Sequence, residues 1–280
     1  MNFFKKTITQ TQQFACPYCG KELPAPTRKR ACPNCKKIIY ARTRPNGEKN
    51  WIKEEDLVGI EKEWELDVQK QIFIREASEI YYTAIYNQFD KLIAQSKQAF
   101  KQGKSDEAWK LDNMAILKAG EKFDDTNWAD RFRTIYFVMA CQLSVEERYK
   151  EAVTLFAKVI YWACLEQMIR EINYQQADNY LDDKTKQRVI ELSLDMGRAL
   201  PPFILEPIIT ALYFANTRFE EFRDIFLKEN LRDQQLALKL IPIHEKSKFN
   251  PPSPESIWNI VSNIVKDNLE IRGSRFAQSI

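Results

Sequence analysis

Histidine is almost absent from this sequence, and glycine is scarce. The 280 residues include a single histidine, His244, and seven glycines. One histidine leaves at most one candidate for Ser-His, Cys-His or histidine–metal catalysis, and nothing near His244 suggests a nucleophile. Seven scattered glycines supply no phosphate-binding loop, and their scarcity argues against a turn-rich β architecture. We therefore expect a mostly helical protein that is not an enzyme, with a site made of carboxylates alone as the remaining catalytic alternative.

The sequence also lacks a long hydrophobic run. The longest, Phe156–Leu165, is interrupted by Lys158 and is far shorter than the roughly 20 residues that a membrane-spanning helix requires. Met1–Lys6 is followed by the polar run Thr7–Gln13 rather than by the apolar stretch of a signal peptide. We expect a cytoplasmic protein without membrane contact. A reducing cytoplasm favours metal binding over disulfides for paired Cys-x-x-Cys motifs.

Charge is distributed unevenly along the chain. Residues 1–53 hold twelve Lys and Arg against Glu22 and Glu48, a balance of +10, whereas the whole chain carries +3. The remaining residues therefore sum to −7. Such a split predicts that the two parts of the chain face different partners.

Four cysteines form two copies of one short motif near the N-terminus. Cys16-Pro17-Tyr18-Cys19 and Cys32-Pro33-Asn34-Cys35 are separated by twelve residues. Two cysteines with two residues between them can both reach one ion from a tight turn, and a second such turn completes a tetrahedral shell of sulfur ligands. We therefore expect one Zn²⁺ bound by Cys16, Cys19, Cys32 and Cys35. Because protein fills all four positions, this zinc is predicted to be structural rather than catalytic.

The motif pair resembles the zinc-ribbon class of domains, and we assign residues 13–53 to such a ribbon. Members of that class serve in nucleic-acid binding, in protein docking and as structural clips, so the resemblance implies the metal and leaves the role open. Lys36 stands where a second glycine would be usual, which is a departure from the pattern of the second knuckle. Cys141 and Cys164 lie on apolar stretches and are predicted to be core residues.

A basic hairpin follows the second cysteine pair. Residues 38–44 are predicted to be a strand, Pro45-Asn46-Gly47 a turn and residues 48–52 the returning strand. Cations interleaved with aromatic rings suit phosphate contact and base stacking. The alternative is a solvated face whose rings cover the hairpin or dock it on the helical body. The candidate nucleic-acid-binding residues are Arg28, Lys29, Arg30, Tyr40, Arg42, Arg44, Lys49 and Trp51.

The rest of the chain is predicted to be helical. Residues 54–175 show helical periodicity, and the apolar residues from Phe73 to Ile93 predict one stripe on one helix. Residues 176–280 continue the body but are broken by prolines. Small residues around Ala108 and Ala152 resemble tetratricopeptide-like helix pairs, although these alanines are 44 residues apart and that repeat is about 34 residues long. An irregular helical bundle is the alternative.

The fold predicted is a small β zinc ribbon followed by a mostly all-α domain of helical hairpins. The leading functional hypothesis is a zinc-containing interaction or scaffold protein whose helical body binds a protein partner. The alternative is a nucleic-acid-binding protein that uses the basic ribbon.

Overall fold

The structure, a computed structural model, describes residues 14–79, 87–121, 128–176, 200–241 and 250–277. In these ranges five short strands precede eight helices, which confirms the predicted order of a small β module and a helical body. The chain divides into two compact units, residues 1–71 with 272–280 and residues 72–271. The strands are β1 (Phe14–Ala15), β2 (Glu22–Leu23), β3 (Arg30–Ala31), β4 (Ile38–Thr43) and β5 (Lys49–Ile52). The helices are α1 (Leu57–Ser78), α2 (Gln88–Lys101), α3 (Ser105–Ala119), α4 (Trp128–Val145), α5 (Tyr149–Gln176), α6 (Pro202–Phe214), α7 (Phe219–Leu240) and α8 (Pro254–Ala277).

The predicted hairpin is present in the first unit. Strands β3, β4 and β5 form an antiparallel sheet in that order, and β1 pairs with β2 separately. The β4–β5 turn is closed by a hydrogen bond of 2.7 Å from the Arg44 amide to the Glu48 carbonyl oxygen, and Gly47 has a positive φ of 85°. A positive φ is unfavourable for residues with a Cβ, which explains the glycine in this turn.

Each face of the three-stranded sheet contributes residues to a separate buried cluster. Ile39 and Trp51 pack with the buried cysteines Cys16 and Cys32, together with Leu23. On the opposite face, residues of β4 and β5 pack with the start of α1, and the buried members of that cluster are Tyr40, Ile52 and Ile60. Since successive residues of a strand point to opposite sides, β4 supplies one layer to the cysteines and another to the helix.

Polar contacts hold the beginning of α1 against the hairpin. The Trp64 indole donates a hydrogen bond of 2.8 Å to the Thr43 carbonyl oxygen. The Arg44 guanidinium lies 3.1 Å from the Glu63 carboxylate. In this way α1 covers one edge of the basic hairpin.

The predicted single helix over Phe73–Ile93 is wrong. Helix α1 ends at Ser78, and α2 begins at Gln88 after an N-cap in which the Asn87 side chain accepts a hydrogen bond of 3.0 Å from the Asp90 amide. Asn at the N-cap satisfies one of the free amides of a first turn, so it starts a new helix. Part of the predicted stripe, Ile80–Ile85, lies outside the described residues.

Three helix ends in the described part of the second unit share one construction. Gly103, Glu147 and Asn216 have φ of 76°, 62° and 53°. In each case the next residue's amide bonds to a carbonyl oxygen five positions earlier, at 3.0, 2.9 and 3.0 Å. This is the Schellman arrangement that ends a helix with a left-handed residue. Helices α2 and α3 pack together, as do α4 and α5, while α6 and α7 both pack on α5.

Helix α5 is the central helix of this unit. Residues Tyr149–Arg170 are long and apolar enough to cross a membrane by length and composition, with a mean hydropathy of 1.3, although 78% of the most apolar window is buried inside the protein. Helices α4, α6 and α7 provide much of the surface that buries it. Its apolar composition is accounted for by this position in the core.

Two buried polar contacts join helices in the second unit. The Gln142 side-chain amide donates to the Ser96 hydroxyl at 3.0 Å, next to the fully buried Asp112 of α3. The Lys158 ammonium of α5 lies 2.5 Å from the Asp233 carboxylate of α7. Burying a charge is costly unless it is paired, so this ion pair matters to the packing of α5 on α7.

Candidate metal centre

The four N-terminal cysteine sulfurs converge on one point. The Sγ atoms of Cys16 and Cys35 lie 3.8 Å apart, as do those of Cys19 and Cys32. All four atoms lie within 4.8 Å of one another. A tetrahedral ion with Zn–S bonds of about 2.3 Å requires sulfurs about 3.8 Å apart. The cysteines are free thiols, so the cluster has the dimensions of a metal site and not of two disulfides.

Each cysteine pair lies in a turn with the same backbone hydrogen bonds. The Gly20 amide bonds to the Cys16 carbonyl oxygen at 2.9 Å, and the Lys36 amide bonds to that of Cys32 at 3.0 Å. Gly20 and Lys36 have φ of 71° and 62°, so the lysine adopts the left-handed conformation that glycine adopts in the first knuckle. Its ammonium donates to the Pro33 carbonyl oxygen at 2.9 Å. The departure at Lys36 therefore leaves the geometry of the second knuckle intact.

The pKa values of the Cys19 and Cys35 thiols are shifted in opposite directions. A hydrogen bond from the Asn34 side-chain amide, at 3.5 Å, and another from the Lys21 amide lower the pKa of Cys19 to about 6. The pKa of Cys35 is raised to about 11, because burial and the neighbouring sulfurs outweigh the hydrogen bond from the Lys37 amide. Four adjacent thiols cannot all ionise without a compensating charge, and a divalent cation supplies that charge.

The indole of Trp51 supports the cluster from the β5 side. Its ring is buried, at 5% exposure, in the same small core as Cys16 and Cys32, and its N–H donates to the Pro24 carbonyl oxygen at 2.9 Å. That bond fixes the loop between the knuckles. A structural role for Trp51 was among the alternatives predicted from the sequence, but that of Asn34 was missed, although its position inside the second knuckle was the available signal.

The aromatic residues proposed for nucleic-acid contact lie on opposite faces of the sheet. Tyr40 opposes Ile52 across the β4–β5 ladder, whereas Trp51 opposes Ala41. Tyr40 is 7% exposed, and its hydroxyl donates to the Glu54 carboxylate at 2.9 Å. Both rings thus pack against residues of the first unit.

Most cations of the ribbon are exposed and lack an acidic partner in the described structure. The two half-buried ones, Arg44 and Lys53, pair with Glu63 and Glu55. Two others stack on Tyr40, with the Lys29 ammonium 4.7 Å and the Arg42 guanidinium 5.8 Å from its ring centre. The exposed cations for which the described residues show no ion pair are Lys21, Arg28, Lys29, Arg30, Lys36, Lys37, Arg42 and Lys49.

Within the described ranges the cysteine cluster is the one group of three or more Cys, His, Asp or Glu residues at metal-ligand distance. Cys141 and Cys164 are fully buried in the helical unit, as predicted.

A scan against protein-family models finds no match for this chain, and neither curated proteins nor solved structures yield one. The fold and the site themselves define the class. The chain is a predominantly helical protein that carries four cysteines at metal-ligand distance from one another beside an N-terminal β-hairpin.

Proposed function

We propose that this chain is a zinc-containing interaction protein whose N-terminal ribbon is held by one structural Zn²⁺ and whose helical unit binds a protein partner. The observation that carries the zinc assignment is the set of four sulfurs at tetrahedral separation. Closed shells of four thiolates are typical of structural zinc, and soft sulfur ligands select it over magnesium or calcium. A filled shell leaves no position for an activated water, which supports a non-catalytic role. The proposal includes a cytoplasmic location.

The surface of α3 supports a partner on the helical unit. Its buried face includes Ala108 and Ala115, whereas Trp109, Met114 and Leu117 are exposed. Exposed large apolar side chains on a folded surface are candidates for a protein interface. We propose tetratricopeptide-like pairing for α2–α3 and α4–α5, with a longer period than the usual repeat, because the left-handed residues Gly103 and Glu147 are 44 residues apart.

Elemental analysis of the purified chain tests the metal. We expect about one zinc per chain, reduced well below that value when Cys16 and Cys32 are both replaced by serine. The matched control is replacement of the core cysteines Cys141 and Cys164, which should leave the zinc content unchanged. A wild-type chain free of metal, or with its N-terminal thiols joined as disulfides, would refute the assignment.

Affinity capture from the native host, with and without nuclease, tests the partner. We expect a protein recovered by the intact chain, independent of nuclease, and lost when Trp109 and Leu117 are both replaced by aspartate. The control is the same change at the exposed residues Gln98 and Lys110. Recovery that survives loss of the α3 side chains would remove the basis for that surface.

The alternative function is nucleic-acid binding by the ribbon. The observation that favours it is the group of eight exposed cations without acidic partners in the described residues. Ten Lys and Arg against two Glu give residues 14–53 a balance of +8. A bound Zn(Cys)₄ centre contributes −2 and leaves about +6, which attracts a polyanion.

A further inference from the structure

We infer that the ribbon recognises the phosphate backbone of a nucleic-acid duplex and does not stack on unpaired bases. This inference rests on the alternative function above and specifies its ligand. It depends on a difference within the first unit: the aromatic rings make internal contacts, whereas the cations are exposed.

Aromatic rings of the ribbon are committed to internal contacts. Trp51 lies in the metal-side core, and Tyr40 lies under α1 with its hydroxyl bonded to Glu54. The Tyr18 hydroxyl accepts a hydrogen bond of 3.4 Å from the Glu54 amide, and the Lys37 ammonium lies 4.5 Å from its ring centre. Stacking of bases requires an open ring face, and these three rings are engaged by the protein.

Trp64 is the exposed aromatic residue nearest to the hairpin in sequence, and its surroundings are unfavourable for a polyanion. It is 43% exposed, and its indole N–H is bonded to Thr43. Residues 57–71 of α1 contain four acids, Glu61, Glu63, Glu65 and Asp67, against Lys62 and Lys70. The balance of −2 in this stretch disfavours the approach of a phosphate chain to Trp64.

The cations, in contrast, are available and partly held in place. Lys29 comes from the loop between the knuckles and Arg42 from β4, yet both lie against the ring of Tyr40. Contact with an aromatic face restricts a long side chain without neutralising its charge. Two cations from separate segments are thus positioned together at the surface. Fixed positive charges without open rings suit the regular phosphates of a duplex.

Fluorescence anisotropy with the full-length, zinc-loaded chain tests this inference. The probes are a 20-base-pair duplex and the single strand of the same length, between 50 and 200 mM salt. We expect the duplex to bind more tightly, with an affinity that falls about 10³-fold over this range if about six phosphates are contacted. Replacing Lys29 and Arg42 with glutamine should reduce the slope of log K against log salt by about 2.

The controls separate charge from position. Lys101→Gln with Lys110→Gln removes the same charge from the helical unit and should leave the slope unchanged. Trp64→Ala should leave the affinity unchanged. Tighter binding of the single strand, or loss of binding in Trp64→Ala, overturns the inference while nucleic-acid binding itself stands. Absence of binding to either probe at 50 mM salt overturns both. Equal competition by polyglutamate assigns the surface to an acidic protein and overturns the inference.

Discussion

The rings of Tyr40 and Trp51 lie on neighbouring antiparallel strands but on opposite faces of the sheet. Tyr40 packs with Ile60 of α1, whereas Trp51 packs with Cys16 and Cys32. The sheet therefore lies between the cysteine cluster and the first helix. Changes on one face are expected to affect metal binding, and changes on the other to affect the attachment of α1.

Replacement of Trp51 by phenylalanine should weaken the metal site. The change keeps an aromatic ring in the core but removes the hydrogen bond to the Pro24 carbonyl oxygen. Loss of such a bond, which leaves a protein acceptor without its donor, costs about 1–2 kcal/mol. Because folding of the ribbon and zinc binding are coupled, we expect zinc affinity to fall about 10-fold in a competitive titration.

Trp64→Phe is the matched control for this prediction. It also removes one indole hydrogen bond, to the Thr43 carbonyl oxygen, but at an exposed position. Water can replace that bond, so zinc affinity should change less than 2-fold. Equal losses in the two variants would contradict the supporting role of Trp51.

Replacement of Lys36 by glycine should stabilise the second knuckle. A residue with a Cβ in the left-handed conformation costs about 1 kcal/mol relative to glycine. The variant should raise zinc affinity by up to about 5-fold. Its mirror is Gly20→Lys in the first knuckle, at a φ of 71°, which should lower the affinity by a similar factor. A change of zinc affinity in the opposite direction in either variant would show that the backbone conformation at these two positions does not limit zinc binding.

Asp112→Asn should make the helical unit more stable at neutral and alkaline pH. Burial raises the pKa of Asp112 from 3.8 to about 7, although Ser96, Gln142 and Lys97 act to lower it. The folded chain therefore keeps a proton that the unfolded chain loses, so stability declines as pH rises from about 4 to about 7 and then levels off. The pKa difference corresponds to at most about 4 kcal/mol.

Urea unfolding at pH 5 and pH 8 measures this effect. The difference in unfolding free energy between Asp112→Asn and wild type should grow in favour of the variant from pH 5 to pH 8. Asp106→Asn, an exposed acid on the same helix, serves as the control and should show little pH dependence. If the unfolding free energy of Asp112→Asn relative to wild type decreased from pH 5 to pH 8, the predicted pH dependence would be wrong.

Asp233→Ala should strongly destabilise the packing of α5 on α7. The change removes the nearer carboxylate partner of Lys158, leaving only that of Glu229 at 4.0 Å, and it removes the acceptor of the Trp162 indole bond at 3.2 Å. Breaking one side of a buried ion pair costs about 3–5 kcal/mol. Lys158→Met combined with Asp233→Leu should recover much of this loss, since neither charge of this pair then remains buried. Thermal unfolding of each variant measures these costs. As the control, Glu107→Ala, in the exposed pair with Lys104, should cost less than about 1 kcal/mol.

The sequence predicted the clustering of the four cysteines because their spacing is a local property. Two residues between cysteines determine a knuckle regardless of distant contacts, so Cys16, Cys19, Cys32 and Cys35 could be assigned without a structure. The strand and turn assignments in the hairpin held for the same reason. The faces on which the two rings lie were not predicted, because they depend on the strand register.

Register in this hairpin is decided by the number of residues in the turn. In the ladder, Tyr40 pairs with Ile52 and Ala41 with Trp51. One residue more or fewer in the turn would have placed Tyr40 and Trp51 on the same face, as a slip of one residue exchanges the faces of a strand. The Pro45-Asn46-Gly47 signal indicates a turn but not its length. The end of α1 before Glu79 was also not predicted. The apolar residues continued at helical spacing, and this pattern outweighed the N-cap signal of Asn87 and Asp90.

The four cysteine ligands differ in how much solvent reaches them: Cys16 and Cys32 are buried, Cys35 is intermediate and Cys19 is exposed. An ion leaves such a shell as its bonds to sulfur open one after another, and the sulfur that water and competing chelators reach is the one that opens first. For an ion held by these four sulfurs we therefore expect the lifetime to depend most on Cys19 and on the Asn34 amide that lies against it.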